Sequence, residues 1–399
     1  MGINNKPTVA PSNFVYFILF FAYFLLDAMF PFKRFEASAG RIYPQVAMGL
    51  IFAYSLFYVI VNLNHITKRK IFKPFICLLI LMLFYVPFTN DMSVFENIIQ
   101  YMKMNTASVT FLGIYLALRK KPDSIKWVYF IFALELISGL YMLFIDYYET
   151  IILSLNNNID GIFDSNSGFV LASLIPMSLM LPSKRIRIIA YAIIVVSCLF
   201  CGQRAAALAA IISVPFAMKF LVGSIKKSEY FGLFVLGVLV IVILYPYIES
   251  SVQNLMLRQE LEASKGDLGS GRSTFWKYII DSYLNGNPIN MIVGYGFFSV
   301  NSLLNLKYGY AIAAHNGFLE YLYSFGLIGF SIYLSIYFRL LGYYKSLKRN
   351  KSIYASMILM MFLVFSLRSI TSHGDLNISY IPFFLPIAIL MARPQKATN

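Results

Sequence analysis

Twelve apolar stretches recur along the chain, each near the length that crosses a bilayer. They cover residues 13–31, 43–62, 73–89, 101–118, 126–146, 167–182, 186–201, 205–222, 230–247, 314–341, 353–370 and 377–392. Lipid offers a peptide group no hydrogen-bond partner, so a chain crosses it only as a helix or as part of a closed barrel. A helix needs about twenty apolar residues to span the hydrocarbon. The stretches predict an all-α integral membrane protein with about twelve transmembrane helices, in one polytopic domain over residues 1–399. Composition agrees. Hydrophobic residues make up 59% of the chain and charged residues 13%, against about 25% charged in a soluble domain. Met1–Ser12 carries one lysine, and no small-residue cleavage site follows it, so no cleavable leader is expected.

The net charge of +15 raises the question of nucleic acid. Its distribution answers it. One set of loops holds Lys68, Arg69, Lys70 and Lys73; Arg119, Lys120, Lys121 and Lys126; Lys184, Arg185 and Arg187; Lys219, Lys226 and Lys227; and Arg339, Lys345, Lys348, Arg349 and Lys351. Lys6, Arg393 and Lys396 fall on the same side. The opposite loops hold most of the acids, among them Asp91, Glu96, Glu149, Asp160, Asp164, Glu249, Glu260, Glu262, Asp267 and Asp281. Basic loops face the cytoplasm, so both termini are expected inside. The charge is a topology signal and no nucleic-acid partner is expected. One outer loop, residues 249–313 between the ninth and tenth stretches, is long enough to be functional in its own right. It reads as a polar helix from Ser251 to Ala263, a Gly-rich turn "KGDLGSGR", a helix from Ser273 to Leu284, and turns at "NGNP" and "GYG". No internal repeat relates the halves of the chain, which weakens a transporter built on repeats.

Several polar groups sit where apolar sequence should be. Arg204 lies in "CLFCGQRAAALAAII", at a tight turn between two spans and near the outer surface. An arginine there faces a wet cavity or an anion, unless it merely snorkels to lipid phosphates. Arg272 lies in "GSGRSTFWKYIIDSYL", where Ser270 or Ser273 could cap the next helix. Beside a helix N-terminus it strengthens an anion site; the plain alternative is a solvated arginine. His315 follows the long loop at the mouth of the tenth span and can exchange a proton near neutral pH. The plain alternative is a structural histidine. Gly326 lies three turns on, at almost the same helical face. Asn316, Glu320 and Tyr323 share an adjacent one, where Glu320 could orient a polar neighbour or merely reach the interface. His65, among lysines, and His373, in the last outer loop, show no cluster of metal ligands, and no metal or cofactor is expected. Cys77, Cys198 and Cys201 lie in apolar runs and read as packing residues. Arginine forks match phosphate oxygens. Two such arginines and a proton acceptor at the outer leaflet suggest a lipid-phosphate substrate.

At these residues a family resemblance becomes specific. "HNGFLEYLYSFGLIG" resembles the His-Asn, then Gly-x-x-Gly signature of the O-antigen polymerase and O-antigen ligase superfamily. "GQRAAALAA" is similar to its arginine at an outer helix turn. "GSGRSTFWKYIIDSYLNGNPINMIVGYGF" resembles its loop arginine followed by Asn-Pro and Gly-Tyr-Gly, the latter containing Tyr295. "GIFDSNSGFVLASLIP" is similar to a weaker motif in which Asn166 opens a middle helix. The resemblance spans about Gly161 to Phe330. It implies a metal-independent, inverting membrane glycosyltransferase with a C-type-like helical fold in the bacterial inner membrane. The donor would be an undecaprenyl-pyrophosphate-linked glycan, with membrane lipids and a chain-length regulator protein as further partners. Carried over, Arg204 and Arg272 would hold the pyrophosphate, and His315 would be the base on the acceptor hydroxyl or would orient it. Asn316, Glu320, Asn166 and Tyr295 would support them. The wording favours a polymerase of surface-polysaccharide repeat units. Alternatives are a ligase moving the polysaccharide to lipid A-core and a flippase for lipid-linked oligosaccharide. A flippase predicts charges deep in several spans, where the clear one is Glu135.

Overall fold

The computed structural model describes residues 9–29, 42–88, 93–157, 167–222, 272–309, 311–371 and 376–392. Among them there are helices and no strands. The long elements are α1 (Asn13–Met29), α2 (Ile42–Val61), α3 (Lys73–Tyr85), α4 (Val94–Lys120), α5 (Ile125–Asn157), α6 (Ser167–Ser178), α7 (Lys184–Phe200) and α8 (Arg204–Val222). After them come α9 (Arg272–Leu284), α10 (Pro288–Val293), α11 (Ser299–Tyr308), α12 (Gly317–Arg349), α13 (Tyr354–Thr371) and α14 (Ile381–Ala392). A helix lies on eleven of the twelve apolar stretches. The ninth, residues 230–247, is outside the described residues, as are the Ser251–Ala263 segment and the glycine turn before Arg272.

Among the described residues five helices are long and apolar enough to cross a membrane: Ile42–Val61, Pro122–Tyr148, Arg204–Leu221, Gly317–Arg349 and Tyr354–Thr371. α1, α3, α6 and Ile378–Ala392 are apolar but shorter. Helix α4 is long but polar for a span, with Asn97, Asn105, Thr106, Ser108 and Thr110 all buried on it. These groups face protein, and carbonyls accept from Asn97, Asn105 and Thr106. Asn105, for example, donates to the Tyr101 carbonyl at 2.9 Å.

Local sequence sets the helix ends. Ser93 and Glu96 form a reciprocal capping box at the start of α4. Pro74 sits in the first turn of α3, where a missing N–H is harmless. Gly202 at φ 71° makes the sharp turn from α7 to α8. The core is aromatic: Phe111, Phe365, Phe383 and Phe384 are fully buried, and Phe111 stacks on Phe384 at 5.3 Å. Yet Phe57, Phe84, Phe144 and Phe338 are each more than half exposed. Helices apolar on both inner and outer faces are the mark of a bundle in hydrocarbon.

Helix α12 is not continuous. Gly326 has φ 61° and ψ −166°, which breaks the helix inside its span. The expectation that Gly326 continues the helical face of His315 is therefore corrected. The break removes the helical partners of the Tyr323 and Ser324 carbonyls, and the Gly-Tyr-Gly segment supplies new ones. Tyr295 N–H donates to Tyr323 O at 3.1 Å and Gly296 N–H to Ser324 O at 2.8 Å. The approach is backbone to backbone. A Cβ on Gly294 would overlap Ser324 O and Gly326 N, and one on Gly326 would overlap Ile292 O. Only glycine fits at either position, by space and by φ.

Candidate active site

The long loop is a built structure rather than a tether. Helices α9 and α11 pack on each other and on α12. Phe275, Ile279 and Tyr283 of α9, Val300 and Leu304 of α11, and Ala314 and Tyr323 bury a second apolar core between them. Phe275 meets Tyr308 edge-on at 4.9 Å, and Tyr295 stacks on Tyr323 at 4.6 Å. Tyr295 thus serves the packing of this unit.

His315 is half-buried at the mouth of α12. Its backbone is left-handed, with φ 49°, a conformation that costs a non-glycine residue about 1–2 kcal/mol. Two contacts hold it there. Before it, Trp276 Nε1 donates to the fully buried Ala314 carbonyl at 2.7 Å. After it, Asn316 caps α12: its side-chain oxygen accepts from Phe318 N–H at 3.0 Å and Leu319 N–H at 3.2 Å. The Asn316 carbonyl takes Glu320 N–H at 3.0 Å. Two of the free N–H groups of the first turn, those of Phe318 and Leu319, are thus taken up by Asn316. Glu320 is half-buried in the first turn.

Arg272 and Ser273 both lie within α9, so Ser273 is not its cap. Ser270 is outside the described residues. The Arg272 side chain turns away from its own helix. Nη1 donates to the Thr371 carbonyl at 3.1 Å, at the C-terminal end of α13, where a cation is favourable. Trp276 is one turn along from Arg272 on the same helix face, so α9 ties the arginine to the backbone beside His315.

Arg204 opens α8 and is exposed. Its turn is fixed from behind by the first turn of α6. A Cβ on Gly168 would overlap Cys201 Sγ and crowd Ala206 and Gln203. Cys198 and Cys201 are both fully buried there. Asn166 lies outside the described residues, and Ser167 is within α6.

One residue that sequence reasoning passed over joins these pieces. Arg368, one turn before Thr371 on α13, is only 8% exposed. Its guanidinium donates to the Phe169 carbonyl at 3.0 Å and to Ser379 Oγ at 2.9 Å, and lies 3.7 Å from the Tyr380 ring centroid. It also interacts electrostatically with buried Glu135 of α5, which feels Asp27 of α1 in turn. Arg368 Nε and Glu135 Oε2 have no hydrogen-bond partner among the described residues. Arg368 therefore joins the α6 turn behind Arg204 to the α13 end that anchors Arg272. The available signal was an arginine at the end of an apolar stretch.

The family comparison covers this region. Residues 189–334 match the model of the O-antigen ligase family. The match contains Arg204, Arg272, Tyr295, His315, Asn316 and Glu320, and agrees with the superfamily resemblance of their motifs. No curated protein matches the chain. Together with the apolar helices, the O-antigen ligase match supports a multi-pass membrane protein of O-antigen polymerase or ligase type. It implies a glycosyltransferase-like enzyme working on a lipid-linked glycan.

Proposed function

We propose that the chain is an inverting, metal-independent glycosyltransferase that polymerises undecaprenyl-pyrophosphate-linked repeat units at the outer face of the bacterial inner membrane. The observation that supports this most is the link from Arg272 through Trp276 to Ala314. It places a phosphate-binding type of side chain and a histidine on one rigid unit at a helix mouth. In this reading an acceptor hydroxyl attacks the anomeric carbon of the donor sugar. The new carbon–oxygen bond forms as the bond to the pyrophosphate oxygen breaks. His315 takes the hydroxyl proton or orients the hydroxyl for attack. Arg204 and Arg272 bind the pyrophosphate and stabilise the charge that grows on it. The polyprenyl pyrophosphate leaves with the bonding electron pair.

A ligase performs the same chemistry on another acceptor, and the description of the matching family favours keeping that reading. Purified protein in vesicles separates the two. With lipid-linked repeat unit alone, a polymerase builds a ladder. A ligase gives product only when lipid A-core is added.

A further inference from the structure

We propose that α9–α11 form a re-entrant hairpin whose tip, Pro288–Gly296, is embedded in the leaflet remote from the basic helix ends, with Ile289 and Ile292 against lipid acyl chains. Two helices serve as rulers. Helix α3 starts at Lys73 and ends at Tyr85, a rise of about 18 Å. Tyr85 donates through its hydroxyl to the Val293 carbonyl and meets Phe325 edge-on at 5.2 Å. Helix α12 runs the other way. From its break at Gly326 to Arg339 is thirteen residues, about 20 Å. The two helices pack on each other, and the Tyr85–Phe325 contact sets the last residue of α3 beside the break in α12, so their basic ends lie on the same side.

Lys73 and Arg339 mark one edge of a hydrocarbon layer about 30 Å thick. Both rulers then put Val293–Gly296 roughly 10 Å beneath the opposite edge. Tilt shortens each rise and only moves the tip deeper. The path of the chain agrees. The first turns of α9 lie level with Ala314 and Tyr308, through Trp276 and Phe275. The tip pairs with Tyr323 and Ser324, two to three turns further down α12. Helix α11 then climbs back to the level of Tyr308.

Irregular backbone survives at this depth only when its polar groups are satisfied by protein, and protein supplies partners for several groups of the tip. Tyr295 and Gly296 donate to α12, Val293 accepts from Tyr85, and Met291 accepts from the Tyr283 hydroxyl. The exposed apolar side chains suit lipid, with Asn285 and Asn287 the exposed polar ones beside them. Leu284, Ile289 and Ile292 are 61%, 66% and 51% exposed. They continue the exposed apolar surface of Leu83 and Phe84 at the end of α3. Lys277 and Asp281 lie nearer the surface, by two turns and one turn of α9.

The test uses the full chain in phosphatidylcholine vesicles with Cys77→Ser, the remaining cysteines being buried. Nitroxide is attached to Ile289→Cys, to Ile292→Cys, and to Asn305→Cys on α11 as the exposed control. The inference expects both isoleucine positions to collide with oxygen and to be shielded from a water-soluble nickel chelate, with the ratio reversed at Asn305. Nickel access at 289 and 292 equal to that at 305 would place the tip in water and overturn it. Shielding from both reagents would show a protein cover and overturn it as well. The two positions share one exposed face, so either alone gives the result if the other variant fails to insert. The readout is independent of glycosyl transfer.

Discussion

At the scale of single residues, the arginines and the histidine are proposed to have separable jobs. Arg204→Ala and Arg272→Ala should each remove polymer at normal protein levels. A charge-assisted contact is worth about 1.5–3 kcal/mol, and more if it acts on the transition state. Arg204→Lys should rescue poorly because lysine lacks the fork; full activity would exclude bidentate binding. Arg272 differs, because one of its donors also anchors α13 through Thr371, so its loss should lower thermal stability as well as turnover. His315→Ala should lose turnover and keep lipid-linked donor binding, and Glu320→Gln should lose less. If His315 is the base, the rate falls on the acid side as the imidazole takes up its proton. A profile flat between about pH 5 and 8 would assign it orientation alone. Trp276→Phe keeps the ring and removes the N–H, leaving the buried Ala314 carbonyl without its donor. Its expected effect is a drop in kcat with donor affinity unchanged, measured by vesicle binding and turnover together.

At the scale of elements, the prediction concerns the glycine pair. Gly294→Ala and Gly326→Ala each place a Cβ on backbone atoms at positive φ. Either should cost about 1–3 kcal/mol or more and lower the melting temperature of purified protein, whereas Gly342→Ala, with open space around it, should not. Much at this scale was legible in the sequence. Hydropathy located the helices because lipid permits little else, and the Asn-Pro and Gly-Tyr-Gly turns fell at the edges of α10. The break in α12 was not legible. Gly326 sits in an unbroken apolar run, and its partner, Gly294, lies 32 residues away. Arg368 was missed for a similar reason. Its position looked like an interfacial arginine, and only tertiary packing shows that it is buried against Phe169 and Tyr380. Arg204 and His315 were visible because polar groups contrast with apolar flanks.

At the scale of the whole molecule, charge alternation predicts orientation. A cysteine at Lys348 should resist labelling by an impermeant reagent added outside intact cells, while one at Asn305 should react. The basic face also holds His65. Burial first, then the charges of Arg119, Arg69 and Lys68, press its imidazole down to about 4, and its ring stacks on Tyr115. The unfolded chain then binds the proton more tightly than the folded one, so stability falls as pH drops from about 6.5 toward 4. His65→Asn should reduce that fall in detergent melts.

On the proposed function, the α9–α12 unit and the α7–α8 turn together perform glycosyl transfer from a polyprenyl pyrophosphate. The most direct measurement uses vesicles containing the purified chain and lipid-linked repeat unit as the only substrate, following polymer length and free undecaprenyl pyrophosphate together. A growing ladder with one pyrophosphate lipid released per linkage is expected, with loss of both in Arg204→Ala and His315→Ala. Intact repeat units and no released lipid with the wild-type chain, with or without lipid A-core, would contradict it.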